Sequence, residues 1–293
     1  MANLQEKIRG GRFVITAEIV PPLSAAPAKL VAEAELLKGK ADAINLTDAA
    51  AGKTSMSSFA AAAILVANGY EPILQVTCRD RNRIALAGDL IGAAAQGIRN
   101  LLILKGDDPK GGDQPDAKPV FDLESSQLLA LARDLRDKGT LPSGRKVEPP
   151  PQFFIGAADV PRRPDANWKA GPLLAKIEAG ANFAQTQFCF DLDVARAYIG
   201  RLRDEGITDR LAVIIGVGPI RSAKSARWMN ENLFGVHVPE PTIQRLEGAK
   251  DQAAEGRAIC AELIAGLREI RGVAGAHVMA PAQGPEAIAQ VLG

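Results

Sequence analysis

Histidine and cysteine are scarce in this chain, and their scarcity rules out much chemistry. Only His237 and His277 occur among 293 residues, and Cys78, Cys189 and Cys260 show no CxxC spacing. That pattern argues against a zinc cluster or a disulfide framework, so no metal is expected. An excess of either charge is also missing, since 35 Lys plus Arg face 34 Asp plus Glu for a net charge of +1. Such a chain raises no field to draw in nucleic acid or an anionic membrane surface. No run approaches the roughly 18 to 20 apolar residues of a membrane span, and the opening MANLQEKIRGGRF lacks the apolar core of a secretory signal. The expectation is a soluble, cytoplasmic protein. Finally, no GxGxxG follows any candidate strand, which removes the usual mark of a dinucleotide-binding open sheet.

What the chain has is a regular alternation. Apolar runs rich in Val, Ile, Leu and Phe fall at 13–20, 41–47, 71–78, 100–106, 151–158, 183–190, 210–220 and 274–280. Between them lie Ala/Leu/Glu/Lys/Arg stretches of helical period, several ending in Gly, the usual helix stop. Continuous apolar strands that alternate with helices indicate a parallel sheet buried on both faces. Eight such units, in a length near the ~250 residues typical of the fold, predict a (β/α)8 TIM barrel, taken as one domain over residues 1–293. The stretch 239–272 is too long for one connection and predicts an extra helix before the last strand. GDDPKGGDQPDAKPVFD, after the fourth strand, is dense in Gly, Pro and Asp and predicts a functional loop.

In a TIM barrel the active site lies at the C-terminal ends of the strands. Polar residues fall there repeatedly: Glu18; Asn45, Thr47 and Asp48; Gln75 and Thr77; Lys105, Gly106 and Asp107; Asp159; and Gln185 with Gln187. A blander reading sits beside this one, because barrel interiors hold some satisfied polar layers and Asp48 or Asp80 would serve as helix caps. Glu18 stands out as a carboxylate in the apolar run FVITAEIVPP, where a charge must be paired, protonated or used. The rim as read has two carboxylates, several amides and no histidine. That set suits polarising and protonating a nitrogen heterocycle such as a pterin. Cys78 and Cys189 have no neighbouring histidine, and Cys189 within FCF fits a small core residue.

With these residues in position, the chain resembles the methylenetetrahydrofolate reductase family. The resemblance is carried by AEIVPP, LTD, VTCRDRNR, LKGDDP, GAADVPRRP and AGANFAQTQFCFD, in order from residue 13 to about 220. It implies a TIM barrel, with Glu18 as general acid, Asp107 facing the pterin, and Gln187, Gln185 and Thr47 binding folate. It further implies FAD as cofactor and NAD(P)H as hydride donor, with Thr47, Gln75, Lys105, Gly106, Asp107, Asp159, Arg163 and Lys176 at the cofactor positions. Small-molecule folate and nicotinamide substrates, a homo-oligomer, and a place in one-carbon metabolism and methionine biosynthesis are the corresponding expectations. Glu18 would be kept protonated by apolar surroundings.

The departures from the family cluster at the flavin. Gln75 stands where flavin-binding members have histidine, Lys105 where they have arginine, Asp159 where a tyrosine packs on the flavin, and Arg163 where they have histidine. Lys176 is kept, but Lys169, Pro172 and Ala175 replace polar or charged contacts. Two readings follow: a flavin held differently, or hydride passing directly from reduced nicotinamide. A folate-dependent methyltransferase barrel and a non-catalytic folate-binding or scaffold subunit are the alternatives to a reductase.

Overall fold

The computed structural model describes residues 3–165 and 167–293. Eight parallel strands form a closed barrel in sequence order: β1 (Val14–Ile19), β2 (Ala43–Leu46), β3 (Pro72–Thr77), β4 (Asn100–Leu104), β5 (Phe154–Asp159), β6 (Phe183–Phe188), β7 (Ala212–Val217) and β8 (Val273–Val278). The helices are α1 (Leu4–Arg9), α2 (Pro27–Glu35), α3 (Ser58–Ala67), α4 (Arg83–Ala95), α5 (Ser125–Lys138), α6 (Gly171–Glu178), α7 (Leu192–Asp204), α8 (Ala223–Asn232), α9 (Glu240–Gly248), α10 (Gln252–Arg268) and α11 (Gly284–Leu292). The predicted TIM barrel is therefore present. β8 closes on β1 with Thr16 opposite His277, and β2 lies on the other side with Asn45 opposite Glu18.

Alternation along each strand divides the side chains between two environments. Ile15, Ala17 and Ile19 of β1, Ile44 and Leu46 of β2, and Ile155 and Ala157 of β5 join the large core shared with the helices. The opposite set, Val14, Ala43, Ile73, Leu102, Phe154, Phe183 and Ile214, fills the floor of the barrel with Leu4 of α1. α1 is a plug that the periodicity did not reveal, because six residues are too few to show a period. An Asn3–Glu6 capping box starts it, and Glu71 Oε1 accepts from Leu4 N at 2.8 Å, fixing the plug against β3.

The stretch 239–272 forms two helices where one was expected. Asp251 accepts from Ala254 N at 2.9 Å and starts α10 as a separate helix after α9. α10 packs on β7, β8, α7 and α11 and supplies the outer layer there, while α8 and α9 pack on each other. Among the described residues no helix is long and apolar enough to cross a membrane.

Candidate active site

Above the apolar floor, the barrel interior turns polar. Thr16, Asn45, Gln75, Gln185 and His277 are all buried and come from five different strands. Their groups satisfy one another. Asn45 Nδ2 donates to Gln185 Oε1 at 2.6 Å, and Gln185 Nε2 donates to Asn45 Oδ1 at 3.0 Å and to Thr16 Oγ1 at 2.9 Å. Thr16 Oγ1 lies 2.9 Å from His277 Nδ1. One step nearer the mouth, Gln75 Nε2 donates to Glu18 Oε2 at 3.1 Å, and His277 Nε2 stands 3.7 Å from the same oxygen.

Two sequence expectations are corrected here. The rim was read as lacking histidine, yet His277 stands beside Glu18. The surroundings of Glu18 were expected to be apolar, yet an amide and an imidazole face its half-buried carboxyl. Both errors share a cause: the neighbours of β1 inside the barrel come from β3 and β8, far away in sequence.

The rim is built by the loops after β2, β3 and β4. Arg79 is 2% exposed, and its guanidinium donates to Ala49 O, Asp48 O and Asp107 O while paired with Asp80 at 2.7 Å. One buried cation thus ties three loops together. Asp48 accepts from Thr77 N and Thr77 Oγ1, each at 2.9 Å, and pairs with Arg81. Neither Asp48 nor Asp80 caps a helix; Asn82 does, accepting from Ile84 N and Ala85 N. Asp107 is exposed, with Oδ2 accepting from Ala51 N at 2.7 Å. Gly106, at φ +95°, has no room for a side chain, since a Cβ would meet Arg79 Cβ at 2.9 Å.

The remaining candidates disperse. Gln187 is half-buried, and its Oε1 accepts from Phe188 N at 3.0 Å. Thr47 is buried, and its hydroxyl has no partner among the described residues. Gln185 spends both amide protons inside the polar layer. Lys105 is exposed with its ammonium 5.7 Å over the Phe121 ring, and Arg163 is exposed on the loop after β5. Asp159 turns away from the mouth: Phe154 of the same strand points to the floor, so Asp159 has the opposite phase. It pairs with Lys176 Nζ at 3.3 Å and accepts from the Tyr198 hydroxyl in the helical layer. Burial and then the charge of Asp159 push the Tyr198 phenol up.

Thiol chemistry finds no support. Burial pushes Cys78 and Cys189 up to about 11 and Cys260 up to about 12, so all three are held as thiols near neutrality. Among the described residues no three His, Cys, Asp or Glu converge as a metal site. A cavity of about 330 Å³ on the outside of the barrel, lined in part by Asp191, Thr242, Arg245 and Glu262, offers little to a ligand, because Arg245 is already bound by Glu255 and Glu262.

Comparison with known proteins bears on the same barrel. A Caenorhabditis elegans protein named "Probable methylenetetrahydrofolate reductase (NADPH)" is 30% identical over 202 residues, which are 68% of this chain and 28% of the relative. The 5,10-methylenetetrahydrofolate reductase of Escherichia coli K12 is 27% identical over 199 residues, 67% of this chain and 59% of the relative. The chain thus spans less than two thirds of the length of these curated relatives. Among solved structures, a Clostridium thermocellum protein that binds two copies of 5-methyl-5,6,7,8-tetrahydrofolic acid superposes with a TM-score of 0.67 at 14% identity, covering 98% of this chain and 96% of that one. At that identity the likeness speaks for the fold alone. The profile of the family described as methylenetetrahydrofolate reductase matches residues 3–292, nearly the whole barrel, and the chain belongs to that family.

Proposed function

We propose that this barrel, acting as one domain, reduces 5,10-methylenetetrahydrofolate to 5-methyltetrahydrofolate with hydride taken directly from a reduced nicotinamide. The observation that carries the reading is Glu18, a carboxyl at the mouth of the barrel whose Oε2 accepts from Gln75 and faces His277 while Oε1 has no donor among the described residues, in a chain of this family.

The chemistry asks little of the protein beyond that carboxyl and a second one. Proton transfer from Glu18 to N10 breaks the C–N10 bond of the imidazolidine ring and leaves an N5 iminium cation. Asp107, anchored through Ala51 N, keeps one carboxylate oxygen available to offset that positive charge. Hydride then adds to the exocyclic carbon, giving the methyl group and an oxidised nicotinamide. Gln187 is proposed to orient the pterin, and Thr47 borders the same mouth.

The flavin that the family commonly uses does not fit these residues. Asp159 has no aromatic face to stack on an isoalloxazine ring, and its side chain is committed to Lys176 and Tyr198. Lys176 is committed in turn, donating also to Ala158 O at 2.6 Å. Gln75 donates to Glu18. Of the cofactor positions inferred from the resemblance, three are therefore occupied by contacts within the protein, and no step of the proposed reaction passes through a flavin.

The test is the ultraviolet-visible spectrum of the purified protein, taken with initial rates of NADH and NADPH oxidation in the presence of methylenetetrahydrofolate. Direct transfer needs both substrates bound together, so the expected result is no flavin absorbance and intersecting double-reciprocal lines. A flavin band that nicotinamide alone bleaches, with parallel lines, would contradict the direct route.

A further inference from the structure

The proton on a general acid must sit on the oxygen that faces the substrate, and the interior of this barrel contains a device for putting it there. We propose that His277 is a positioning residue for Glu18: a buried chain from Asn45 through Gln185 and Thr16 fixes the imidazole with its proton on Nε2, aimed at Glu18 Oε2, and this leaves Oε1 to carry the transferable proton. The proposal rests on the reductase reading given above.

With Asn45 and Gln185 oriented as their contacts place them, counting protons along the chain gives the tautomer. The two amide protons of Gln185 go to Asn45 Oδ1 and Thr16 Oγ1, and its carbonyl accepts from Asn45 Nδ2. Thr16, already accepting, has one hydroxyl proton to give, and His277 Nδ1 lies 2.9 Å away. An accepting Nδ1 places the ring proton on Nε2. In this orientation of the two amides a proton on Nδ1 would strand the Thr16 hydroxyl proton in a fully buried site, whereas turning both amides over would let Thr16 donate to Gln185 and accept from Nδ1–H, so the ring tautomer reports which orientation holds.

The consequence falls on Glu18. Its Oε2 faces two donors, the Gln75 amide at 3.1 Å and the Nε2–H of His277 at 3.7 Å, whereas Oε1 has no partner among the described residues. An oxygen that already accepts one hydrogen bond and faces a second N–H is the accepting oxygen of a carboxylic acid, which puts the O–H on Oε1. When the proton moves to N10, the O–H bond breaks, the electron pair stays on Glu18, and water restores the proton after product leaves. Both donors bind the carboxylate more strongly than the acid, and they therefore favour the transition state. The 3.7 Å separation is longer than a hydrogen bond, as such contacts often are before substrate binds.

The test has two readouts. With only two histidines in the chain, ¹⁵N-imidazole spectra are simple, and His237→Gln assigns the His277 signals. The expected spectrum shows a protonated Nε2 and a bare Nδ1, and Thr16→Val should shift the Nδ1 signal. The second readout compares His277→Gln, whose amide reaches the level of Nε2, with His277→Asn, whose amide reaches only the level of Nδ1. Expected are a kcat within about fivefold of the parent for the first and a loss of about 10- to 100-fold for the second, with KM for methylenetetrahydrofolate and the thermal midpoint little changed. An Nδ1–H tautomer in an active enzyme would overturn the positioning role alone, as would equal kcat values for the two variants. An Nε2–H tautomer in a protein without folate-dependent turnover would overturn the reductase reading and the role together.

Discussion

At the scale of single residues, the proposed reaction depends on two carboxylates with different surroundings. Glu18 is half-buried between an amide and an imidazole, and Asp107 is exposed at the rim. Glu18→Gln keeps the shape and a hydrogen bond with Gln75 but has no acidic proton. Turnover should fall by about 10²- to 10⁴-fold, the usual worth of general acid catalysis, with the thermal midpoint unchanged. Near-parental kcat in that variant would remove Glu18 from the mechanism. Asp107→Asn retains an oxygen for Ala51 N and loses only the charge, so kcat should drop while the midpoint holds. A lowered midpoint with fully active folded enzyme would make Asp107 a structural residue.

At the scale of elements, the strands were legible and the neighbours of each residue were not. Parallel strands buried on both faces are continuous apolar runs, and FVITAEIV or NLLILKG announces itself by composition. His277 was missed because it sits in such a run, AGAHVMA, and its partners Thr16 and Glu18 lie at the other end of the chain, joined only when β8 closes on β1. One signal was available: strand phase. Counted from Phe154, Asp159 has outward parity, so its turn toward Lys176 and Tyr198 is readable from alternation alone. The loops are tied more tightly than their composition suggests. A Cβ on Gly112 would sit 1.9 Å from Gly52 O, next to the Ala51 amide that anchors Asp107. Gly112→Ala should therefore cost about 1–3 kcal/mol of stability and lower kcat as well, read from denaturant unfolding and steady-state rates. Unchanged values of both would show that the two loops part without consequence.

At the scale of the whole molecule, three buried thiols set an alkaline limit. Burial raises Cys78 and Cys189 from an ordinary value of 9.0 to about 11, and Cys260 to about 12. In that interval the unfolded chain has lost protons that the folded one keeps, so the thiol contribution to stability is complete below about pH 8.5 and declines as pH rises toward 12. Replacing Cys260 by Ala should flatten that decline in denaturant titrations, and an unaltered slope would show that the thiol plays no part. In the folded protein at pH 7, all three cysteines should resist alkylation.

Passage of hydride from nicotinamide to the folate carbon without an intermediate carrier can be followed by isotope. The enzyme would be run with [4,4-²H₂]NADH or the corresponding NADPH and methylenetetrahydrofolate in ordinary water, and the methyl group of the product analysed by mass. A carbon–deuterium bond formed by direct transfer does not exchange, so one deuterium per 5-methyltetrahydrofolate is predicted. A product methyl group carrying solvent hydrogen instead would mean that the hydride had rested on an exchangeable site such as a flavin nitrogen, and would rule out direct transfer.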